Sequence, residues 1–182
     1  MRIPLMVALV VLAGCRFGRV NQGRVIEYQR SQGLITLISD SNPLPPITIR
    51  TPEDPNEMGP EPEAGKLLLL DSANRRVMIF DSATQRLRTI PYTLVSERGD
   101  VRSTDPSVSR TRFPVVDRAS RAITVYSPRD RKLVTFSVAE EYFALPDDTW
   151  KAGDEIRYYY KDPGRALRLM NVSKTDLNTG GK

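Results

Sequence analysis

"LLDSANRRVMIFDSATQRLRTI", residues 69–90, and "VVDRASRAITVYSPRDRKLVTF", residues 115–136, align without a gap at an offset of 46. Asp71, Ala73, Arg75, Leu87 and Thr89 stand where Asp117, Ala119, Arg121, Leu133 and Thr135 stand in the second copy. Both copies alternate apolar and polar side chains between clusters of Asp, Ser, Asn and Arg. A half-buried strand requires such alternation, because its successive side chains point to opposite faces. The same reading extends outward to "GRVIEYQ", "GLITLIS", "PITIR", "KLLLLD", "RVMIFD", "RLRTIPY", "FPVVD", "AITVYS", "KLVTFSV", "DEIRYYYK" and "ALRLMNVS", eleven strands in all. Long stripes of period 3.6 are missing, and only Ala139-Glu140-Glu141-Tyr142 predicts a helical turn. The expected class is all-β: an antiparallel meander forming one or two small barrel-like modules behind an N-terminal signal segment.

Two interruptions organise the chain. Residues 51–65, "TPEDPNEMGPEPEAG", hold four prolines and five acidic side chains. Proline cannot donate to a strand ladder, so this segment reads as an exposed loop. Residues 96–112, "SERGDVRSTDPSVSRTR", are polar with four arginines, and read as a mobile basic loop or linker. A second echo lies at an offset of 88 to 90, with "VIE" (25–27) matching "VVD" (115–117) and "AGK" (64–66) matching "AGD" (152–154). It suggests a first β module at 23–95 and a second at 113–173, joined by 96–112 and followed by a flexible tail at 174–182.

The two echoes imply different architectures. "LLLLDSANRRVMIFD" resembles one blade of the six-bladed propeller repeat with an Asp-x-x-Asn-x-Arg core, but fewer than four 46-residue periods fit the chain. A propeller closes with about four to eight blades. The 88-residue echo suits the length better. Residues 113–173, three strands, "DDTWKAG" and two more strands, resemble small five-stranded oligomer-binding barrels, including a periplasmic copper-chaperone version.

Ahead of the strands, Met1-Arg2-Ile3-Pro4 is followed by an apolar run from Leu5 to Leu12. That run is about half of the roughly 20 residues a membrane-spanning helix needs, and it suits the core of a secretory signal. Leu12-Ala13-Gly14-Cys15 resembles the lipobox of bacterial lipoproteins. The resemblance implies a signal peptide at 1–14, cleavage between Gly14 and Cys15, and lipidation with diacylglycerol and an acyl (palmitate-type) chain on Cys15. Residues 15–22 then form a tether. A single acyl chain binds a membrane marginally, whereas two or three on one residue anchor it. Arg16 stands where an aspartate retains enterobacterial lipoproteins at the inner membrane, so the resemblance favours the outer membrane, facing the periplasm. The whole chain, through "LRLMNVSKTDLNTGGK", also resembles an uncharacterised lipoprotein family of sulfate-reducing bacteria.

Composition narrows the chemistry. The chain has 182 residues, one cysteine, no histidine and a formal charge of +5. One cysteine makes no internal disulfide. Zinc lacks its usual nitrogen and sulfur ligands. The copper-binding barrel relies on a histidine and on methionines near a tryptophan. Here Met58, Met78 and Met170 are scattered, with Trp150 in a turn, so neither a metal site nor a cofactor is expected. Nucleophilic catalysis lacks a histidine base, a free thiol and a Ser-x-x-Lys motif. The adjacent acids Asp147-Asp148 and Glu140-Glu141 would point to opposite faces of a strand. No catalytic residue is assigned, and the expectation is a protein that is not an enzyme.

What remains is a surface. In "RYYYK" (157–161) Arg157, Tyr159 and Lys161 share one strand face and Tyr158 and Tyr160 the other, a pattern suited to stacking a sugar beside cations. Arg98, Arg102, Arg110 and Arg112 add a second basic region. Together these seven form the candidate ligand surface. The expected partners are the membrane, through the lipid, and an envelope protein or an anionic envelope polymer. Nucleic acid is not expected for an exported, tethered chain. The functional expectation is a lipid-anchored envelope module for binding or assembly, with carbohydrate binding or weak hydrolysis of envelope glycan as the alternative.

Overall fold

The computed structural model describes residues 18–175. The signal segment, Gly14, Cys15 and the end of the tail lie outside that range. Twelve strands are described: β1 (Arg19–Gln29), β2 (Leu34–Ser39), β3 (Ile47–Arg50), β4 (Leu67–Asp71), β5 (Arg76–Asp81), β6 (Arg86–Pro91), β7 (Thr93–Arg98), β8 (Val115–Asp117), β9 (Ala122–Ser127), β10 (Lys132–Ser137), β11 (Glu155–Tyr160) and β12 (Arg168–Asn171). Two short helices, α1 (Pro106–Ser109) and α2 (Glu140–Phe143), interrupt them. The expected all-β, antiparallel class is the one observed.

The strands form three open sheets, ordered β12-β11-β1-β2-β3, β7-β10-β9-β8 and β4-β5-β6. None of them closes into a barrel among the described residues. The 46-residue echo is the one that matches the strand pattern. Shifted by 46, β5 and β6 fall on β9 and β10, and the left-handed turn residues Arg75 and Gln85 fall on Arg121 and Arg131. The shared aspartates explain the likeness. Asp71 accepts from the Asn74 amide and side chain and from Arg76 Nε at 2.8 Å, locking the turn after β4. Asp117 accepts from the amides of Ala119 and Ser120 in the matching turn. A short polar side chain that bonds its own backbone two or three residues on is a turn former.

The division at 96–112 does not follow the sheets. β1, β2 and β3 share a sheet with β11 and β12, and β7 pairs with β10 across the basic segment. Residues 113–173 are therefore split, with β8 to β10 in one sheet and β11 and β12 in another. Long-range pairing outweighs the local resemblance because β1 is long enough to hold both β2 and β11. The basic segment is also more structured than composition implies. Its first residues finish β7, Asp105 caps α1 through the Ser107 amide, and Val101 and Val108 are buried against Tyr126. β7 itself escaped the sequence reading, because "TLVSER" has one half-buried apolar position and an otherwise exposed face.

Between the two matched meanders lies the larger core. Val77, Ile79 and Ile90 meet Ile123, Val125, Val134 and Phe136, with Tyr92 and Trp150 at the seam. Trp150 is 1% exposed and sits edge-on to Phe136. Each large apolar side chain so buried contributes about 1.5–3 kcal/mol. A second core lines the five-stranded sheet with Val25, Ile35, Leu37, Ile49, Ile156, Tyr158 and Leu169. Ile38, Leu68 and Phe80 join that sheet to β4 and β5.

Two glycines allow the sheets to cross. A Cβ on Gly153 would overlap the Val25 carbonyl oxygen, and one on Gly65 the Lys151 carbonyl oxygen. The two "AG" segments of the 88-residue echo thus pack against each other at the centre. Gly65 donates to the Val25 carbonyl at 3.0 Å and Gly153 to the Leu67 carbonyl at 3.3 Å.

Candidate functional site

Strand β11 supplies the first part of the predicted surface. Its alternation sends Ile156 and Tyr158 into the core, where Tyr158 is 3% exposed and its ring lies 5.4 Å from that of Tyr160. Arg157 and Tyr159 take the outward face, and Lys161 follows, exposed, at the strand end. Register places Tyr159 between Val20 and Arg168, and Arg157 between Gln22 and Met170. Arg157 Nε donates to Gln22 Oε1 at 2.9 Å. Val20 is 63% and Met170 37% exposed, so apolar and cationic groups share this face. The Tyr159 ring lies close over Gly18, where a side chain would overlap it. Part of the ring is thus covered by the Gly18 backbone.

The second part sits on another sheet. Arg98 ends β7 and reaches Asp105 at 3.1 Å and the Ser107 hydroxyl. That aspartate is held below the usual carboxylate range, first by the Ser107 side-chain hydrogen bond and then by its amide. Arg102, Arg110 and Arg112 are exposed beside it. The structure therefore places the seven predicted residues in two groups, Arg157, Tyr159 and Lys161 on the five-stranded sheet and the four arginines beside β7 and α1. The other cations of the region are mostly paired. Arg118 meets Asp147 and lies 5.2 Å from the Phe143 ring, Arg121 reaches Glu140, and Lys132 meets Glu97 at 2.6 Å.

A buried polar centre was missed. Arg24 and Glu155 face each other across β1 and β11, 8% and 1% exposed. Arg24 Nη2 lies 3.7 Å from Glu155 Oε2, and its Nη1 donates to the Gly153 carbonyl at 3.1 Å. Arg129, from the turn between β9 and β10, reaches the same Oε2, while Gln22 donates to Oε1. Oε2 is buried without an aligned hydrogen bond and is held by the charge of the two guanidinia. Burial lowers the Arg24 pKa from its usual value, with Glu155 opposing that shift. The residues lie far apart in sequence on strands that read as half-exposed, so only the tertiary pairing reveals them. Beside Arg24, a recess lined by Leu68, Leu70, Val125, Ser127 and Ala152 has room for about one water molecule, too little for an organic substrate.

A second buried set holds the acidic loop in place. Asn171 is fully buried and donates to the Pro60 carbonyl and to Asp154 Oδ2, which also accepts from the Glu63 amide. Outside it, Glu53 pairs with Arg165, Glu57 with Arg168, Glu61 with Arg30, and Glu63 with Lys151 and Lys174. Gly59 donates to the Leu169 carbonyl at 2.8 Å. The loop expected to be merely exposed is therefore a strap along the β12 edge, which covers ladder groups that would otherwise be open to other chains.

Among the described residues no cluster of three or more His, Cys, Asp or Glu side chains is placed to hold a metal ion. Trp150 is a core residue, Met58 and Met78 are half-buried, and Met170 is on the outward face. The paired acids lie on turns of helix: Asp147 and Glu140 meet arginines, and Asp148 meets Lys66 at 2.9 Å. No helix among the described residues is long and apolar enough to cross a membrane. No curated protein and no solved structure matches the chain. Residues 16–179 match the family described as a domain of unknown function (DUF4881), and the chain belongs to that family.

Proposed function

We propose that this protein is a lipid-anchored module of the bacterial envelope, attached through Cys15, that binds or assembles other envelope components without catalysis. The observation that carries the reading is the lipobox, Leu12-Ala13-Gly14-Cys15, placed directly after a signal-like apolar run. The expected tether at 15–22 is shorter than the sequence suggests, because residues 19–22 already pair with β11 in the sheet, and only Arg16, Phe17 and Gly18 separate Cys15 from β1. At about 3.5 Å per residue three residues reach at most on the order of 10 Å, so a lipid on Cys15 would keep the sheets close to the membrane surface. Arg157, Tyr159 and Lys161 lie at the β1 and β11 ends nearest that tether. Arg19 pairs there with Tyr160.

Glycan binding is the second reading, favoured by Tyr159 flanked by cations on the outward face. Titration with purified envelope glycan separates the two, and turnover of that glycan would add catalysis. The anchor is tested by membrane fractionation and intact mass. We expect the wild-type chain in the membrane fraction with a diacylated or triacylated Cys15 at its new terminus. Cys15→Ser should leave the precursor uncut or release an unmodified soluble form. A wild-type terminus at any other residue, unmodified, overturns the anchor.

A further inference from the structure

The two matched meanders differ in one respect. β10 is paired on both sides, by β9 and by β7, whereas its counterpart β6 is paired only by β5. Apart from that ladder, no described backbone hydrogen bond engages residues 86–91. Exposure follows the difference. Lys132, Val134, Thr135 and Ser137 are buried or half-buried, while their counterparts Arg86, Arg88, Thr89 and Pro91 are exposed. The chain does carry a strand at the equivalent place before β4: β7 begins at Thr93, and 46 residues earlier β3 begins at Ile47. That strand is committed to β2, through Leu34↔Arg50 to Leu37↔Ile47. The β6 edge is left without the strand that its twin receives.

We propose that the β6 edge is a docking site for an extended segment of a partner protein that carries an acidic residue, which adds to the β4-β5-β6 sheet as β7 adds to β10. The chemistry of the segment follows from the twin. β7 places Leu94 opposite Phe136, packed on the core, and Glu97 opposite Val134, with its carboxylate 2.6 Å from Lys132 Nζ. At β6 the counterparts are Ile90, Arg88 and Arg86. Arg88 is already engaged by Asp81 at 2.7 Å, so Arg86 is the cation that an incoming acid would meet. A second copy of this chain fits poorly. Antiparallel pairing of β6 with itself sets Arg86 against Pro91 and Arg88 against Thr89, so it brings no acid to Arg86, and the Pro91 of each copy withholds an N–H from the shared ladder. Main-chain hydrogen bonds would supply affinity, and the apolar and acidic positions selectivity. Pro91 lacks an N–H and limits the added ladder to the residues before it. This deepens the assembly reading by naming the partner's form, and it is independent of the lipid on Cys15.

The test uses the full-length chain in detergent micelles and a synthetic peptide of residues 92–99, "YTLVSERG", as the probe. Titration followed by amide NMR is expected to shift residues 86–90 selectively and saturably. Replacing Glu97 by Lys in the peptide should weaken binding about fivefold, as should Arg86→Glu in the protein. Combining the two changes should restore most of the loss. Thr89→Pro, at an exposed edge position, should abolish binding, with the β9 and β10 resonances unchanged as evidence of folding. The proposal is overturned by shifts confined to residues 132–137, which would mean exchange with β7. It is equally overturned by concentration-dependent self-association through β6, by binding insensitive to both charge reversals, or by no shift at millimolar peptide. Failure here leaves the mass of Cys15 unaffected, so the anchor is judged separately.

Discussion

Glu155 is the residue on which most of the buried electrostatics turns. It neutralises Arg24 inside the junction of β1 and β11 and receives Arg129 from the β9–β10 turn, so one carboxylate links the five-stranded sheet to the second meander. Taking such charges out of water is expensive, and removing one partner leaves the other buried and unpaired. Glu155→Gln keeps the shape and the Oε1 acceptor but deletes the charge. We expect a loss of about 3–5 kcal/mol in urea unfolding. The double change Arg24→Met with Glu155→Leu should recover much of it, because apolar groups of similar size need no compensation there. A loss below about 1 kcal/mol for Glu155→Gln would show that solvent reaches the pair.

At the scale of the element, the turns carry the repeat. Asp71 is pulled from 3.8 to about 2 by the Asn74 side chain first, then by Arg76 and the Asn74 amide, and Asp117 is lowered by the Ser120 side chain and amide. A carboxylate whose folded pKa lies below its unfolded value stabilises the fold at pH above the unfolded value. The contribution fades as pH falls through the folded value. For Asp71 that window runs from about pH 4 to about pH 2. Urea midpoints of the wild type and Asp71→Asn should therefore differ at pH 7, converge as pH falls through this window, and coincide near its lower end. A constant offset across the same range would place the effect of Asp71 in packing. The strap over β12 should weaken in the same direction, since Glu63 is likewise lowered, first by its hydrogen bond from Lys174.

The whole molecule is tied by pairings between its ends. β1 joins β11, β7 joins β10, and the two "AG" segments cross at Gly65 and Gly153. A fragment beginning near residue 110 would keep β11 and β12 without β1, leaving Ile156 and Tyr158 with no sheet neighbour on that side. We expect such a fragment to be unfolded, with collapsed amide dispersion in NMR spectra. The chain should unfold in one transition by both fluorescence and circular dichroism. Two separated transitions, or a dispersed spectrum from the fragment, would restore an autonomous second module.

Alternation alone determined the class. Eleven of the strands, the one-turn helix near Glu140 and the inward and outward faces of "RYYYK" were legible because period two and turn-forming aspartates are local properties. The 46-residue echo was legible too, since equal hairpins need equal turn residues. Which echo the sheets would follow was decided only by tertiary structure. A strand's partner depends on the edge offered to it, and β1, flanked in sequence by neither β11 nor β12, binds the far end of the chain. The same holds for Arg24, Glu155 and Arg129, whose charges look like ordinary surface until three distant segments bury them together. β7 and the open edge of β6 belong with them. An edge is defined by the neighbour it lacks, and no single strand records that in its own residues.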